Sequence, residues 1–353
     1  MVKAPRFSVL LPTHNRPDVI GYAIRSVLSQ TEADFELLVV GDGAIAGTAD
    51  AVQSFDDPRI RWFDLPKGPG FGYANRNIAM SEARGELVAH MSDDDIMLPD
   101  HLALIGTSFN NPRIQWAYSR ALWVSGDGVA APELTNLHFA DERQYFLQAQ
   151  NSISAGVFAY RRGAFGDTPP WPEALPDAAD WAMMRNLDSR YGLEGMARIG
   201  APTLLHFKAR WKESRDSHFS LLAAWLAIAD AANWWPQELR PTLQANQPPQ
   251  AWYFERLQER DFVHRLRRAA DDVIARVALD RLVSRVVPQT EAQLILQLQE
   301  KIGALEADHA DQQAQTLALG RKIRGLKRSR SWRLTRPLRA LKRFLAKRVR
   351  RKE

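Results

Sequence analysis

The sequence predicts an α/β fold with a mostly parallel central sheet, followed by helical segments and a basic tail. Three observations predict it. Short apolar runs at 6–11, 35–40 and 86–91 have the length of buried strands. Stretches with helical spacing separate them, the alternation that builds a parallel sheet covered by helices on both faces. Each run also ends in a polar set: Thr13 to Arg16, Asp42, and Asp93 to Asp95. In open α/β sheets ligands bind beyond the carboxyl ends of strands, so polar sets at successive strand ends point to one binding site.

Arg6-Phe7-Ser8-Val9-Leu10-Leu11 reads as the first strand, broken by the turn residues Pro12-Thr13-His14-Asn15-Arg16-Pro17. A helix follows to about Gln30, with Ile20, Ala23, Ile24, Val27 and Leu28 on one face. Phe35 to Val40 forms a second strand ending in Gly41-Asp42-Gly43, and a short helix covers Thr48 to Phe55. Ile60 to Phe63 is a weaker third strand. Gly68-Pro69-Gly70-Phe71-Gly72 is a flexible loop that leads into a helix carrying Ala74 to Met80. The fourth strand, Glu86 to Met91, runs into Ser92-Asp93-Asp94-Asp95.

Adjacent like charges are unfavourable unless something neutralises them. A hard divalent cation, held by one or two carboxylates and by substrate phosphates, would explain the acidic turn. A solvated loop is the alternative. Pro99 and Asp100 open a new helical pattern. Further strands are expected over Ile114 to Tyr118 and Ala121 to Val124, with a turn at Ser125 to Gly128. Asn151 to Tyr160 reads as a loop entering a strand. A helical run follows Ala179-Asp180-Trp181 through Leu187, and Thr203 to Phe207 is a short strand carrying His206.

At 353 residues the chain suits one large domain with attachments, or two domains. Its 45% hydrophobic and 25% charged residues are ordinary for a soluble globular protein. It contains no cysteine, which excludes disulfides and thiolate metal sites. The opening residues have no signal-peptide pattern, and no apolar run reaches the ~18–20 residues of a membrane span, so a cytoplasmic location is expected. The net charge of +6 conceals an asymmetry: residues 321–353 hold 16 Lys/Arg against one acid, and the remainder holds 31 against 40. An acidic body with a basic tail signals an anionic partner at the tail.

Five segments in order carry a family resemblance: Val9-Leu10-Leu11-Pro12-Thr13-His14-Asn15-Arg16, Val39 to Gly43, Ala74-Asn75-Arg76-Asn77, Ser92 to Asp95 with Leu98-Pro99, and Ala179-Asp180-Trp181. Over residues 6 to about 210 the chain resembles the GT-A (Rossmann-like) domain of family-2 glycosyltransferases, which are inverting and use nucleotide sugars. The resemblance implies a nucleotide-sugar site of Pro12, Thr13, Asn15, Arg16, Asp42, Arg76 and Asp93. In it Thr13 lines the nucleobase pocket and Asp42 accepts the uracil N3–H or its equivalent. Arg76 faces the diphosphate, where a cation is chemically sensible. The resemblance makes Asp94 the main ligand of Mn²⁺ or Mg²⁺, with His206 near it and Asp93 on the ribose or a metal-bound water. It makes Asp180 the general base, which transfer with inversion requires within reach of the acceptor hydroxyl. Asn151, Ser152, Ser154 and Asp177 are the implied acceptor residues. Helix capping is the plain alternative for Asp177 and Asp180, and a structural role for His206. Three positions depart from the family pattern: Gly41, Ser92 and Ala179 stand where the family often has an acid.

The expected organisation is a GT-A domain at 1–212, a helical appendage at 213–288, a coiled-coil-like helix at 289–326 and a basic amphipathic tail at 327–353. In the appendage, Phe219 to Ile228, Trp252 to Ala270 and Asp271 to Val287 read as helices. Ile295, Leu298, Ile302, Leu305, His309, Gln312, Thr316, Leu319, Ile323 and Leu326 follow spacings of three and four, the seam of a coiled coil with a polar middle at His309, Gln312 and Thr316, so residues 295–326 suit a homo-oligomer. A long helix folded on its own domain is the alternative. In the tail, Trp332, Leu334, Leu338, Leu341, Leu345 and Val349 form an apolar stripe among Arg and Lys. That pattern suits an anionic membrane surface; the stripe favours lipid over nucleic acid. The combined expectation is a metal-dependent glycosyltransferase on the cytoplasmic face of a bacterial membrane. It would move a sugar to a lipid-linked glycan in surface-polysaccharide synthesis. A catalytically degenerate scaffold of the same fold is the second class.

Overall fold

The structure is a computed structural model that describes residues 4–207 and 235–286, with isolated positions 309, 316 and 319. Residues to Leu279 form one compact unit and Asp280 onward a second. In the second, residues 280–286 and the three isolated positions are helical. The first appendage helix, most of the coiled-coil seam and the basic tail lie outside the described residues.

The first unit is built on a nine-stranded sheet. Its strands are β1 (Phe7–Thr13), β2 (Phe35–Asp42), β3 (Ile60–Leu65), β4 (Leu87–His90), β5 (Ile96–Met97), β6 (Trp116–Val124), β7 (Ala130–Pro132), β8 (Phe158–Arg161) and β9 (Met196–Phe207). The order is β3-β2-β1-β4-β8-β6-β9-β5, with β7 on the side of β6. The first four are parallel, as the alternation predicts. The rest is mixed, which corrects the expectation of a mostly parallel sheet: β6 is parallel to β9, but β8 is antiparallel to both β4 and β6, β5 to β9, and β7 to β6. The reason lies in the connections. Helical crossovers return the chain in the same direction, whereas β7 comes back on β6 through the hairpin turn at 125–128 and β5 follows the acidic turn directly.

Strands β1, β2, β4, β6 and β9 nevertheless share one direction, so their carboxyl ends lie along one edge. Every residue of β2, and all of β1 but Pro12, is buried, the signature of strands covered on both faces. The helix α1 (Ile20–Leu28) buries Ile20, Ala23, Ile24 and Val27, the face its periodicity predicts. It is followed by α2 (Ala46–Gln53), α3 (Tyr73–Ser81), α4 (His101–Ser108), α5 (Ala140–Gln148) and α6 (Ala179–Tyr191). Two expected strands, 114–118 and 121–124, are one: β6 runs through both, with an irregular register against β9 near Arg120.

Two helices follow, α7 (Pro249–Arg256) and α8 (Phe262–Val286): the expected helix over 252–270 breaks between Arg256 and Phe262, and α8 runs unbroken across the expected boundary at 270 and 271. No Pro or Gly interrupts that span, so nothing stops it. Up to Leu279 both helices pack on the sheet. Tyr253, Phe262 and Leu266 are buried, and the Tyr253 hydroxyl donates to the Gly128 carbonyl at 3.0 Å. Arg267 grips both carboxylate oxygens of Asp100 at 2.7 Å and donates to the Pro202 carbonyl at 2.9 Å.

Candidate active site

At the shared carboxyl edge of β1, β2 and β4 lies a cavity of about 470 Å³. Seven of the residues singled out in the sequence line it: Pro12, Thr13, Arg16, Asp42, Arg76, Asp93 and Asp94. They come from three strand ends and from α3, so the sheet topology brings them together. Asn15, Asn151, Ser152, Ser154, Asp177, Asp180 and His206 are not in the lining.

One end of the cavity is organised around Asp42, the last residue of β2, which is nearly buried. Its Oδ1 accepts from the Gly68 N–H at 2.6 Å and from Asn75 Nδ2 at 2.7 Å, and its Oδ2 from Lys67 Nζ at 2.5 Å. Lys67 also donates to the carbonyls of Gly68 and Gly70. Three donors thus hold the carboxylate, out of about four lone-pair directions. The loop can approach so closely because Gly72 has no side chain: its φ is +70°, and a Cβ there would stand 2.4 Å from the Asp42 carboxyl carbon.

The acidic turn forms the other end. Thr13 Oγ1 donates to Asp93 Oδ2 at 2.8 Å. Arg16 stands 3.9 Å from Asp93 and 3.8 Å from Asp94, half-exposed and at the limit of ion-pair contact. Burial raises the Asp93 pKa and the Asp94 charge adds to that, while the Thr13 bond opposes them. Asp95 points away from the cavity and is 1% exposed. It accepts from the Phe207 N–H at 3.0 Å, and His206 Nδ1 lies 3.1 Å from both of its oxygens. Burial lowers the His206 pKa, but Asp95, with Asp94 and Glu133 adding, outweighs it and pushes the imidazole up to about 9. As placed, His206 faces the Asp95 carboxylate through Nδ1. Among the described residues no group of three or more His, Asp or Glu is placed to hold a metal by itself.

Asp180 sits in the first turn of α6 but does not cap it. The cap position is Ala178, in the left-handed region at φ +52°, with no side-chain cap. Asp180 accepts from Asn151 Nδ2 at 3.1 Å, and burial raises its pKa against that bond and the Trp181 N–H. A raised carboxylate is a better proton acceptor. Asn151 is therefore a partner of Asp180. Asp177 is exposed in the loop before α6. Ser152 is buried, and Ser154 Oγ accepts from Trp123 Nε1 at 3.3 Å. Asn15 braces the loop after β2 by accepting from the Ile45 N–H at 3.1 Å.

The sequence reading missed four contributors. Lys67 and Asn75 clamp Asp42, His90 lies in the lining, and Trp171 stacks on Tyr73 at 5.8 Å while Arg76 lies 4.5 Å over its ring. Asn75 stood within a recognised segment, and a lone Lys in a Gly-Pro loop was its only other signal. His90 and Trp171 lie 81 positions apart, and no local pattern joins them.

Residues 8–167 match the model of the family described as Glycosyl transferase family 2. The chain is 34% identical over 106 residues to the GalNAc(5)-diNAcBac-PP-undecaprenol beta-1,3-glucosyltransferase of Campylobacter jejuni, covering 29% of this chain and 33% of that one. It is 35% identical over 97 residues to the Escherichia coli UDP-Glc:alpha-D-GlcNAc-diphosphoundecaprenol beta-1,3-glucosyltransferase WfgD, covering 28% and 38%. It is 30% identical over 208 residues to the hyaluronan synthase of Pasteurella multocida, covering 58% and 21%. The match thus spans about a third of the length of the first of these curated relatives. Among solved structures, that of S. aureus TarS aligns with a TM-score of 0.47 and 19% identity, over 77% of this chain and 54% of that one. Four of the five segments, the parallel half-sheet and the acidic turn fall inside the span that matches glycosyltransferase family 2, residues 8–167.

Proposed function

We propose that the chain is a metal-dependent, inverting glycosyltransferase that moves a sugar from a nucleotide-sugar donor to a hydroxyl of a glycan acceptor. The observation that carries this reading is the single cavity in which Thr13, Asp42, Arg76, Asp93 and Asp94 converge. Asp42 lies at the end suited to a nucleobase, and its remaining acceptor capacity suits an N–H. Arg76 suits the diphosphate. Asp94, with Asp93 beside it, supplies the one or two carboxylates that Mg²⁺ or Mn²⁺ takes from a protein when phosphates complete its shell. Such a cation would offset the charge that develops on the departing diphosphate.

In the proposed reaction Asp180 accepts the proton of the acceptor hydroxyl. The acceptor oxygen forms a bond to the anomeric carbon as the bond from that carbon to the diphosphate oxygen breaks on the opposite face, which inverts the centre. The electron pair leaves with the nucleoside diphosphate, which Arg76 steadies. The names of two relatives specify undecaprenol-linked acceptors, which supports a lipid-linked glycan and a role in bacterial surface polysaccharide. The basic stripe at 327–353 would then hold the enzyme on the cytoplasmic membrane face, and 295–326 would pair two chains.

Titration calorimetry with UDP, GDP, CDP and TDP, each with and without Mn²⁺, tests the donor site. Metal-dependent binding of one nucleotide, lost in Asp94→Ala, is the expected result. Binding of none of them overturns the reading.

A further inference from the structure

The wall of the cavity around Arg76 holds polar atoms with no partner. His90 is 2% exposed, and neither ring nitrogen has a hydrogen-bond partner; the same is true of Trp171 Nε1 and Arg76 Nε. All three residues line the cavity. They also touch one another: the Trp171 ring meets the His90 ring edge-on at 5.3 Å, and the Arg76 guanidinium lies over Trp171. Buried polar atoms are almost always paired, so four orphans on one wall call for an explanation.

The wall is held in place by its surroundings. Asn77, one residue beyond Arg76, grips the Trp171 backbone from both sides: its Oδ1 accepts the N–H at 3.0 Å and its Nδ2 donates to the carbonyl at 2.8 Å. The His90 ring packs 4.5 Å from Phe158 and 5.6 Å from Tyr160. Burial, with the Arg76 charge adding, holds its pKa down at about 3, so the imidazole is neutral, with one donor and one acceptor.

We propose that His90 and Trp171 are specificity-determining residues that read the ring hydroxyls of the transferred sugar, and that this sugar is an uncharged hexose or N-acetylhexosamine. This rests on the donor-cavity reading above. A neutral imidazole can both give a hydrogen bond to a hydroxyl and accept one, and the indole N–H adds a second donor. The aromatic wall suits the C–H face of a pyranose. It disfavours a uronate, whose carboxylate would lose its water among rings. A site that hydrogen-bonds a substrate hydroxyl discriminates strongly against sugars that place it elsewhere, because its own buried groups then stay unpaired.

The test is calorimetry on the full chain, with the nucleoside diphosphate that binds it and with the hexose, N-acetylhexosamine and uronate conjugates of that nucleotide. The readout is the ratio of the diphosphate Kd to the conjugate Kd, which isolates the sugar. An uncharged conjugate should give the highest ratio. His90→Phe keeps the ring packing and should lower that ratio about tenfold, the size of one lost hydrogen bond. Trp171→Phe keeps a ring on Tyr73, removes the donor and should lower it in the same direction. If His90→Phe binds no diphosphate at all, Trp171→Phe decides alone. Diphosphate binding with ratios unchanged in the variants, or highest for the uronate, overturns this inference and leaves the donor site standing. A wild-type chain that binds no diphosphate overturns both.

Discussion

Gly72→Ala should disable the nucleobase end of the cavity and destabilise the domain. Two effects add. Gly72 lies at φ +70°, where an L side chain costs about 1–2 kcal/mol. The new methyl would also stand 2.4 Å from the Asp42 carboxyl carbon and 2.5 Å from its Oδ2, so the carboxylate must move. It then gives up at least one charge-assisted bond, from Lys67, Gly68 or Asn75, worth about 1.5–3 kcal/mol. Gly70 offers the control. Its φ is +56°, but its nearest neighbour to an added Cβ is the Pro176 carbonyl at 3.8 Å, so Gly70→Ala carries the backbone strain without the collision. The two variants should therefore differ by about 1.5–3 kcal/mol, or about 3–12 °C in melting temperature for a domain of this size. Differential scanning calorimetry reads the gap, and titration with the bound nucleoside diphosphate should show Gly72→Ala weakened far more than Gly70→Ala. Equal melting temperatures and equal affinities would refute the claim that Gly72 is there to let the loop close on Asp42.

Asp180→Asn should lower turnover by about 10²–10⁴-fold while leaving nucleotide affinity near wild type, checked by product formation and calorimetry side by side. Arg267→Met removes the grip on Asp100 and the Pro202 carbonyl, and denaturant unfolding should show a loss of about 1–3 kcal/mol. Glu36 is a buried carboxylate of β2: burial raises its pKa, but bonds from Ser8, the Arg84 N–H and Arg61 outweigh that and hold it below the ordinary value. A depressed carboxylate stabilises the fold above the unfolded-state pKa, and the contribution is lost as pH falls through the folded value. Wild type should therefore exceed Glu36→Gln in stability at pH 7, and urea titrations should show the two converging as the pH is taken down through the acid range.

The parallel half of the sheet was legible because its strands are continuous buried runs, and the three polar sets were legible because they interrupt those runs. The apolar face of α1 could be read off its spacing and is the face that packs. The antiparallel strands were less legible: β5 is two residues long, and the pairing of β8 between β4 and β6 depends on partners about 40 to 70 residues away. His206 could be seen as a polar residue in an apolar strand, but its carboxylate, Asp95, is 111 positions distant and is brought to it by the β5–β9 pairing. Asp180 could be located, yet whether it caps α6 depended on the left-handed Ala178 before it.

Residue chemistry and local periodicity are properties of the chain, so the strand–helix alternation, the absence of thiol chemistry, the acidic turn and the basic stretch at 321–353 could all be read from the residues in order. Contacts between distant segments exist only once the sheet is ordered. The tertiary structure alone decided that Lys67 and Asn75 hold Asp42, that Asp95 turns from the cavity to His206, and that His90 and Trp171 share one wall.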